Sequence, residues 1–348
     1  MRDIYKDFQK DGVMKKELGF GIVGAGMIAP IHADAIKRVP GARLVAFCSR
    51  SAEKARNLAK EYDVRFYDDY TEMLKDDEID CISICTPSGT HLDIGRLAAG
   101  AGKHIIVEKP VDITVEKADE LVEECRRNNV RMGSIFQMRY NKSSIKAKEI
   151  IGSGKLGRII MADAYMKFYR PPEYYKNSTW KGTCEIDGGA ALINQAIHGI
   201  DLLLWLAGEV KSVYAVCRTQ RHDIEAEDTV AAVLEFENGA TGVIEAATSV
   251  YPDMQQEIHV HGINGTMILA GTEVTYIKML ELMDGTKYSE QQKSGDTLGE
   301  PHYLQYKEFV EAVSRGRDPI LDGAEGIKAL KLVRAVYGSS KSRRSIML

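Results

Sequence analysis

Between Leu18 and Phe136 the chain alternates strictly between short apolar runs and helical patterns. The apolar runs are "FGIV", "RLVAFC", a short "VRF", "CISIC", "HIIVE" and "RMGSIF". Between them lie "APIHADAIKRV", "SAEKARNLAKEY", "TEMLKDD", "THLDIGRLAAG" and "TVEKADELVEECRRNN". Strands joined in this way by helices of about one layer's length pair in parallel, with helices covering both faces. The expectation is an α/β domain with a doubly wound Rossmann sheet over residues 18–138, preceded by a tail at 1–17.

After that the pattern changes. A helix at "SSIKAKEIIGSG" leads into "GRIIMADAYMKFYR", "KSVYAVCRTQ", "DTVAAVLEFENGATGVIEAATSV" and "QEIHVHGINGTMILAG". Asn238–Gly239 and Asn264–Gly265 stand between strand-like runs, a strong hairpin signal. A helix spanning Gly188–Gly208 comes before most of these strands, and two more helices close the chain. Residues 139–348 therefore read as an α+β domain with an open, mainly antiparallel sheet, and the last helices are free to pack back on the first domain.

Composition narrows the function. The chain has 348 residues, a formal net charge of −4 and no basic stripe, which disfavours nucleic acid. "GGAALINQAIHGIDLLLWLAG" is its most apolar helix, and Asn194, Gln195, His198 and Asp201 interrupt it, so a membrane span is not expected. The six cysteines form no C-x-x-C pair and read as buried reduced thiols of a cytoplasmic protein. His259 and His261 lack a third ligand nearby and read as structural, so no metal is expected.

At the turn from first strand to first helix, Gly24, Gly26 and Ala29 make G-x-G-x-x-A. Gly24 suits a tight turn, Gly26 a close approach of backbone to pyrophosphate, and Ala29 close helix–sheet packing. Met27 and Ile28 complete a helix N-terminus facing the phosphates. The second strand ends at Ser49–Arg50, where a carboxylate would select NAD. A hydroxyl and a guanidinium suit a 2′-phosphate instead, so NADP is favoured over NAD. Thr86, Pro87 and Ser88 follow the fourth strand, at the sheet edge where ligands bind. His91 either lines the ribose or simply begins the next helix. "HIIVEKP" ends a buried strand on Glu108, Lys109 and Pro110 at the same edge. Lys109 either pairs with Glu108 as a strand cap or acts as a general acid–base on an alcohol losing hydride.

With "TPSGTH", "EKP", "FQMRYN" and "DGGAALINQAIHGIDLLLWLAG" in this order, the chain resembles the glucose–fructose oxidoreductase / inositol dehydrogenase / rhizopine-catabolism (Gfo/Idh/MocA) family. The resemblance implies a Rossmann domain followed by an open-sheet domain that carries the substrate site and oligomer contacts. It also implies that Lys109 is the catalytic or proton-relay residue. Asn194 and His198 stand four apart on one helix. The resemblance makes them substrate residues, with His198 sharing proton transfer. The inositol branch has Asp where Asn194 stands, and an amide orients a hydroxyl but cannot act as a base. Six aromatics between Tyr165 and Trp180 suggest a sugar-stacking wall, with Tyr169, Tyr174 and Trp180 in it. Arg170, Lys167 or Lys181 would take a carboxylate or phosphate, and Arg139 would contact substrate or brace the domain junction. The expected activity is NAD(P)-dependent oxidation of a secondary hydroxyl on a cyclic sugar, sugar derivative or glycoside, or the reverse, by a homo-oligomer. The alternatives are a glycoside lyase that recycles its cofactor by oxidation and elimination, and a non-catalytic dinucleotide-binding regulator.

Overall fold

The computed structural model describes residues 17–291 and 299–348, so most of the expected tail lies outside the described residues. The chain forms two compact units. The first takes the chain up to Asp112, then Glu116–Gln137, then a late segment ending at Gly326; the second takes the remainder.

In the first unit, β1 (Leu18–Val23), β2 (Ala42–Cys48), β3 (Arg65–Tyr67), β4 (Cys81–Ile84), β5 (His104–Val107) and β6 (Met132–Ser134) form one sheet in the order 3-2-1-4-5-6. Every pair is parallel. The helices between them are α1 (Ala29–Arg38), α2 (Ala52–Tyr62), the short α3 (Tyr70–Met73), α4 (His91–Gly100) and α5 (Val115–Arg127). β1 is buried along its whole length, as an apolar run covered on both faces must be. The chain runs outward from β1 to β3 and then returns to β4. The switch point therefore lies between β1 and β4, where a doubly wound sheet opens its ligand crevice.

The second unit has α6 (Lys142–Gly152), β7 (Ile159–Lys167), α7 (Pro172–Lys176), α8 (Ile197–Ala207), β8 (Val210–Arg218), β9 (Thr229–Phe236), β10 (Thr241–Ala247), β11 (Glu257–Gly262), β12 (Gly265–Ala270), β13 (Tyr276–Leu282), β14 (Lys287–Tyr288) and β15 (Ile346–Met347). Its nine strands run 14-13-12-11-7-10-9-8-15, antiparallel throughout except for β7 beside β10. One sheet face is buried through Ala164, Met166, Val230, Ala232, Leu234, Ile244, Ile258 and Val260. The Asn238–Gly239 hairpin forms as expected, with Gly239 at φ 84°. The other hairpin turns one residue early. Gly265 pairs with Gly262, so Ile263–Asn264 makes the turn.

Two helices close the chain, α9 (Glu300–Ser314) and α10 (Gly323–Ser342). α9 belongs to the first unit. Its Tyr306, Phe309 and Val310 join Phe20, Ile22, Ile36, Phe47 and Ile106 in one buried core.

The helix expected over Gly188–Gly208 is not continuous. Gly188 has φ 78° and lies outside it, and Ala191–Ala196 form a π-helical turn before α8 begins. A π-turn shifts every later side chain around the axis relative to a regular α-helix. Asn194 thus lies in the π-turn and His198 in the first turn of α8, so a spacing of four no longer implies a shared face.

Candidate active site

In the first unit the carboxyl ends of β1, β4 and β5 converge. Gly24 turns the chain at φ 113°, and a Cβ there would meet the Cys85 carbonyl oxygen at 2.4 Å. Only glycine fits a turn so close to the neighbouring strand. A Cβ on Gly26, by contrast, would meet nothing within 4 Å, which leaves room for a pyrophosphate against the backbone. No side chain caps the first N–H groups of α1, its first turn holds no acidic residue, and Met27 beside it is exposed. An open N-terminus above a clear glycine is a fitting seat for an anion, and these residues suit a dinucleotide.

Ser49 and Arg50 follow β2, and the Ser49 hydroxyl accepts the Ser51 N–H at 3.2 Å. Arg50 is exposed. Burial first, then the carboxylates of Asp69 and Asp68, push the Cys48 thiol at the end of β2 up to about 12.

Beyond β4, Ser88–Thr90 form a single 3-10 turn, and Thr90 Oγ1 donates to Thr86 Oγ1 at 2.8 Å. His91 starts α4 and is fully buried, with Nε2 at 2.9 Å from the Thr86 carbonyl and Nδ1 at 3.0 Å from that of Pro110. Its ring thus ties the loop after β4 to the loop after β5. The Lys109–Pro110 peptide is cis. Glu108 Oε2 accepts the Lys109 N–H at 3.1 Å, and Glu108 Oε1 meets His32 Nε2 at 2.8 Å. Sequence reasoning passed over His32. Its signal was a histidine on the buried, alanine-lined side of α1.

In the second unit a polar chain links several expected substrate residues. Asp187 Oδ2 accepts the Gly182 N–H, and its Oδ1 accepts from Asn194 Nδ2 at 2.6 Å. Gln195 Nε2 donates to Asn194 Oδ1 at 3.0 Å and to the Tyr174 hydroxyl at 2.8 Å. Gln195 Oε1 accepts from Arg170 Nε at 3.0 Å. The Lys181 ammonium lies 3.7 Å from the centre of the Tyr174 ring. Burial and the Arg170 charge lower the Lys181 pKa, against the opposing pull of Asp187. Arg170, Lys181, Tyr174 and Asn194 therefore share one neighbourhood. Its connecting residues, Gln195 and Asp187, carried no role in the sequence reading. Tyr169 stands edge-on to Tyr251 with Arg221 over its ring, and Trp180 is half-buried.

Two other candidates are committed elsewhere. Lys167 Nζ bonds Glu245 at 2.6 Å. Arg139 is buried and gives Nε and Nη2 to Asp201 at 2.8 and 2.6 Å, the fork-on-carboxylate geometry of a core brace.

The π-turn that carries Asn194 is held from outside. Glu227, buried, accepts the Leu192 N–H at 2.8 Å, the Ala190 N–H at 3.3 Å and the Tyr337 hydroxyl at 2.9 Å.

Comparison with known proteins agrees with this geometry. A model of the oxidoreductase-family NAD-binding Rossmann fold matches residues 18–136, and a model of the same family's C-terminal alpha/beta domain matches residues 148–348. The WlbA dehydrogenase of Bordetella pertussis, solved with NADH and UDP-GlcNAcA, superposes with a TM-score of 0.87 at 32% identity, over 97% of this chain and 99% of that one. The myo-inositol 2-dehydrogenase of Thermotoga maritima is 26% identical over 94% of this chain and 98% of its own length. A levoglucosan dehydrogenase, solved with NADH and levoglucosan, shares the fold at a TM-score of 0.86 and 22% identity.

Proposed function

The chain belongs to the Gfo/Idh/MocA oxidoreductase family, and on that premise we propose that it oxidises a secondary hydroxyl of an acidic cyclic sugar or sugar derivative, or reduces the matching ketone, with Lys109 and His198 as its acid–base residues. That it is an oxidoreductase with an NAD-binding domain follows from the family itself. The acidic substrate is the finer claim. One observation carries it: two half-buried cations, Arg170 and Lys181, flank the Tyr174 ring beside Asn194. Asp253 Oδ1 lies 3.7 Å from Arg170 Nη1 and Asp187 acts on Lys181, so each cation has a carboxylate near it; a carboxylate or phosphate on the substrate would add a direct charge-assisted bond that a neutral polyol does not. The relative solved with UDP-GlcNAcA fits the same reading.

Nicotinamide, when bound, takes up the hydride. The residues of this chain do the rest. Gly24, Gly26 and the α1 N-terminus hold the pyrophosphate. Thr86, Pro87 and Ser88 border the ribose, while His91 acts behind them by joining their loop to that of Pro110. Lys109 and His198 take the hydroxyl proton as hydride leaves, and Asn194 orients a neighbouring hydroxyl. Tyr169, Tyr174 and Trp180 supply faces for the ring. The Ser49–Arg50 pair supports acceptance of NADP, although two of the relatives named above were solved with NADH. The enzyme works in the cytoplasm as a homo-oligomer through its second sheet.

The test is turnover, followed by absorbance of the reduced cofactor, on myo-inositol, levoglucosan and UDP-GlcNAcA with both cofactors. Lys109→Met is expected to lower kcat about 10²–10⁴-fold while cofactor still binds. Lys181→Met is expected to raise KM about tenfold for the acidic compound alone. Near-normal kcat in Lys109→Met, or turnover of neutral sugars only, overturns the respective part.

A further inference from the structure

Behind Glu108 lies a buried charge network that the proposed mechanism does not use. His32 on α1 has no exposed surface, and Glu108 keeps 13% of its side chain exposed. His32 Nε2 donates to Glu108 Oε1. On the other side, His32 Nδ1 lies 2.7 Å from the Tyr306 hydroxyl and 3.0 Å from that of Ser83. Those two hydroxyls are 2.6 Å apart, and Ser83 Oγ is 3.5 Å from Cys85 Sγ. The His302 ring of α9 stands 5.4 Å from that of His32. The hydroxyl chain is satisfied in either direction, from a doubly protonated His32 through Tyr306 and Ser83 to Cys85 or back to a bare Nδ1, so the buried Glu108 carboxylate at Nε2 is what favours the charged ring.

The electrostatics agree with a charged pair. Burial alone would raise the Glu108 pKa, but the hydrogen bond and charge of His32, with the charges of Lys109 and His302, hold it at about 2. Burial would lower that of His32, yet the polar groups around it, of which Glu108 is the one ionised at neutral pH, carry it above its ordinary value. Burial pushes Tyr306 up to about 12, so at neutral pH the anion facing His32 is Glu108.

One ligand atom each of His32, Glu108 and His302 lie within 4.8 Å of one another, the compactness a metal site needs. The distances argue otherwise. Two ligands on one tetrahedral zinc stand about 3.3 Å apart, whereas His32 and Glu108 approach to 2.8 Å, the length of a charge-assisted hydrogen bond.

We infer that His32 is a positioning residue for Lys109: its buried imidazolium neutralises Glu108, so that the neighbouring lysine is not locked in its charged form by a bare carboxylate. The inference rests on the reading of Lys109 as the acid–base residue. The Lys109 charge acts on Glu108, and such coupling is reciprocal. A carboxylate stripped of its counter-ion favours the ammonium form of a lysine beside it by about one pH unit or more. The groups facing His32 are Ser83 of β4 and Cys85 just after it, Glu108 just after β5, and His302 and Tyr306 of α9.

The experiment needs no substrate. Lysines are methylated with ¹³C-formaldehyde under reducing conditions, and the Lys109 resonance is assigned by its loss in Lys109→Met. It is then titrated by NMR, with and without NAD. His32→Gln is expected to raise the Lys109 midpoint by about one unit. Glu108→Gln removes the anion that keeps buried His32 protonated, so a neutral pair replaces a neutralised one and the midpoint is expected to stay within a few tenths of the wild type, as in the double variant. An unmoved midpoint in His32→Gln overturns the inference. If His32→Gln does not fold, a fall of about one unit in Glu108→Gln overturns it, because that is the mark of a carboxylate His32 had left bare. Loss of the catalytic reading shows separately, as turnover surviving in Lys109→Met.

Discussion

Asn194 gives its amide hydrogen to Asp187 at 2.6 Å, and that bond limits what can replace it. The inositol branch of the family carries Asp at this position. Here Asn194→Asp would set two carboxylates against each other, and like charges that close share a proton. We expect the variant to lose activity at neutral pH and gain a new ionisation above the ordinary carboxylate range. Adding Asp187→Asn should remove it, and kcat profiles against pH check both. His302 sets a second expectation. Burial first, and then the charge of His32, lower its pKa to about 4. An unfolded histidine titrates near 6.5. The unfolded chain therefore binds the proton first as pH falls, and His302 costs stability from about pH 6.5 down to pH 4, by up to roughly 3 kcal/mol. His302→Asn is expected to flatten this acid loss, read from urea midpoints at pH 7 and pH 5. The residues at the strand ends, Gly24, Gly26, Glu108 and Lys109, were legible because a local motif places them. The charge network behind them was not. His32, Ser83, Glu108 and the His302–Tyr306 pair of α9 lie far apart in sequence, and no local period relates these four places.

Among the elements, the π-turn at Ala191–Ala196 is the one most dependent on its surroundings. It begins after Gly188, where φ is 78° and a Cβ would stand 2.7 Å from Ile113 Cβ. Its first N–H groups have the Glu227 carboxylate as partner, and Tyr337 bonds that carboxylate. Glu227→Ala strands those buried donors, which costs about 1–3 kcal/mol for each group left unsatisfied. We expect this variant to show lower thermal stability and a raised substrate KM, with cofactor affinity unchanged because the Rossmann turn is not touched. Tyr337→Phe should follow in the same direction and to a smaller extent. β1, β2, β4 and β5 were readable to within two residues because each is a short, mostly apolar run bounded by helical patterns. β13 was missed because a bulge in its pairing with β12, between Ile268 and Leu269, breaks its period of two. β14 and β15 are two residues each, too short to carry any period.

At the scale of the whole molecule, both fold classes were legible, since strand–helix alternation and hairpin spacing specify them without long-range knowledge. Less legible was the outer face of the second sheet. Tyr214, Val216 and Val233 are exposed there on adjacent strands, Val233 to 58%. An exposed cluster of this kind on a sheet face is a surface suited to another protein, and the proposed homo-oligomer would cover it. Val233→Lys is then expected to lower the mass measured by light scattering, whereas an unchanged mass would remove this face from the assembly.

The contribution of α9 has a consequence for how such a protein can be divided or recombined. The core of the first unit contains Tyr306, Phe309 and Val310, and the charge network beside Lys109 contains His302 and Tyr306. These residues are encoded some 160 positions after the rest of that unit leaves off at Gln137. A gene fragment ending there would leave Phe20, Ile36 and Ile106 without part of their cover and His32 without the Tyr306 hydroxyl. Heritable exchange between relatives meets the same limit. A crossover at the apparent domain boundary joins one parent's nucleotide-binding strands to the other parent's α9, so a working hybrid must take the late segment ending at Gly326 from the parent of the first strands, while Ile327–Leu348 stays with the middle of the chain.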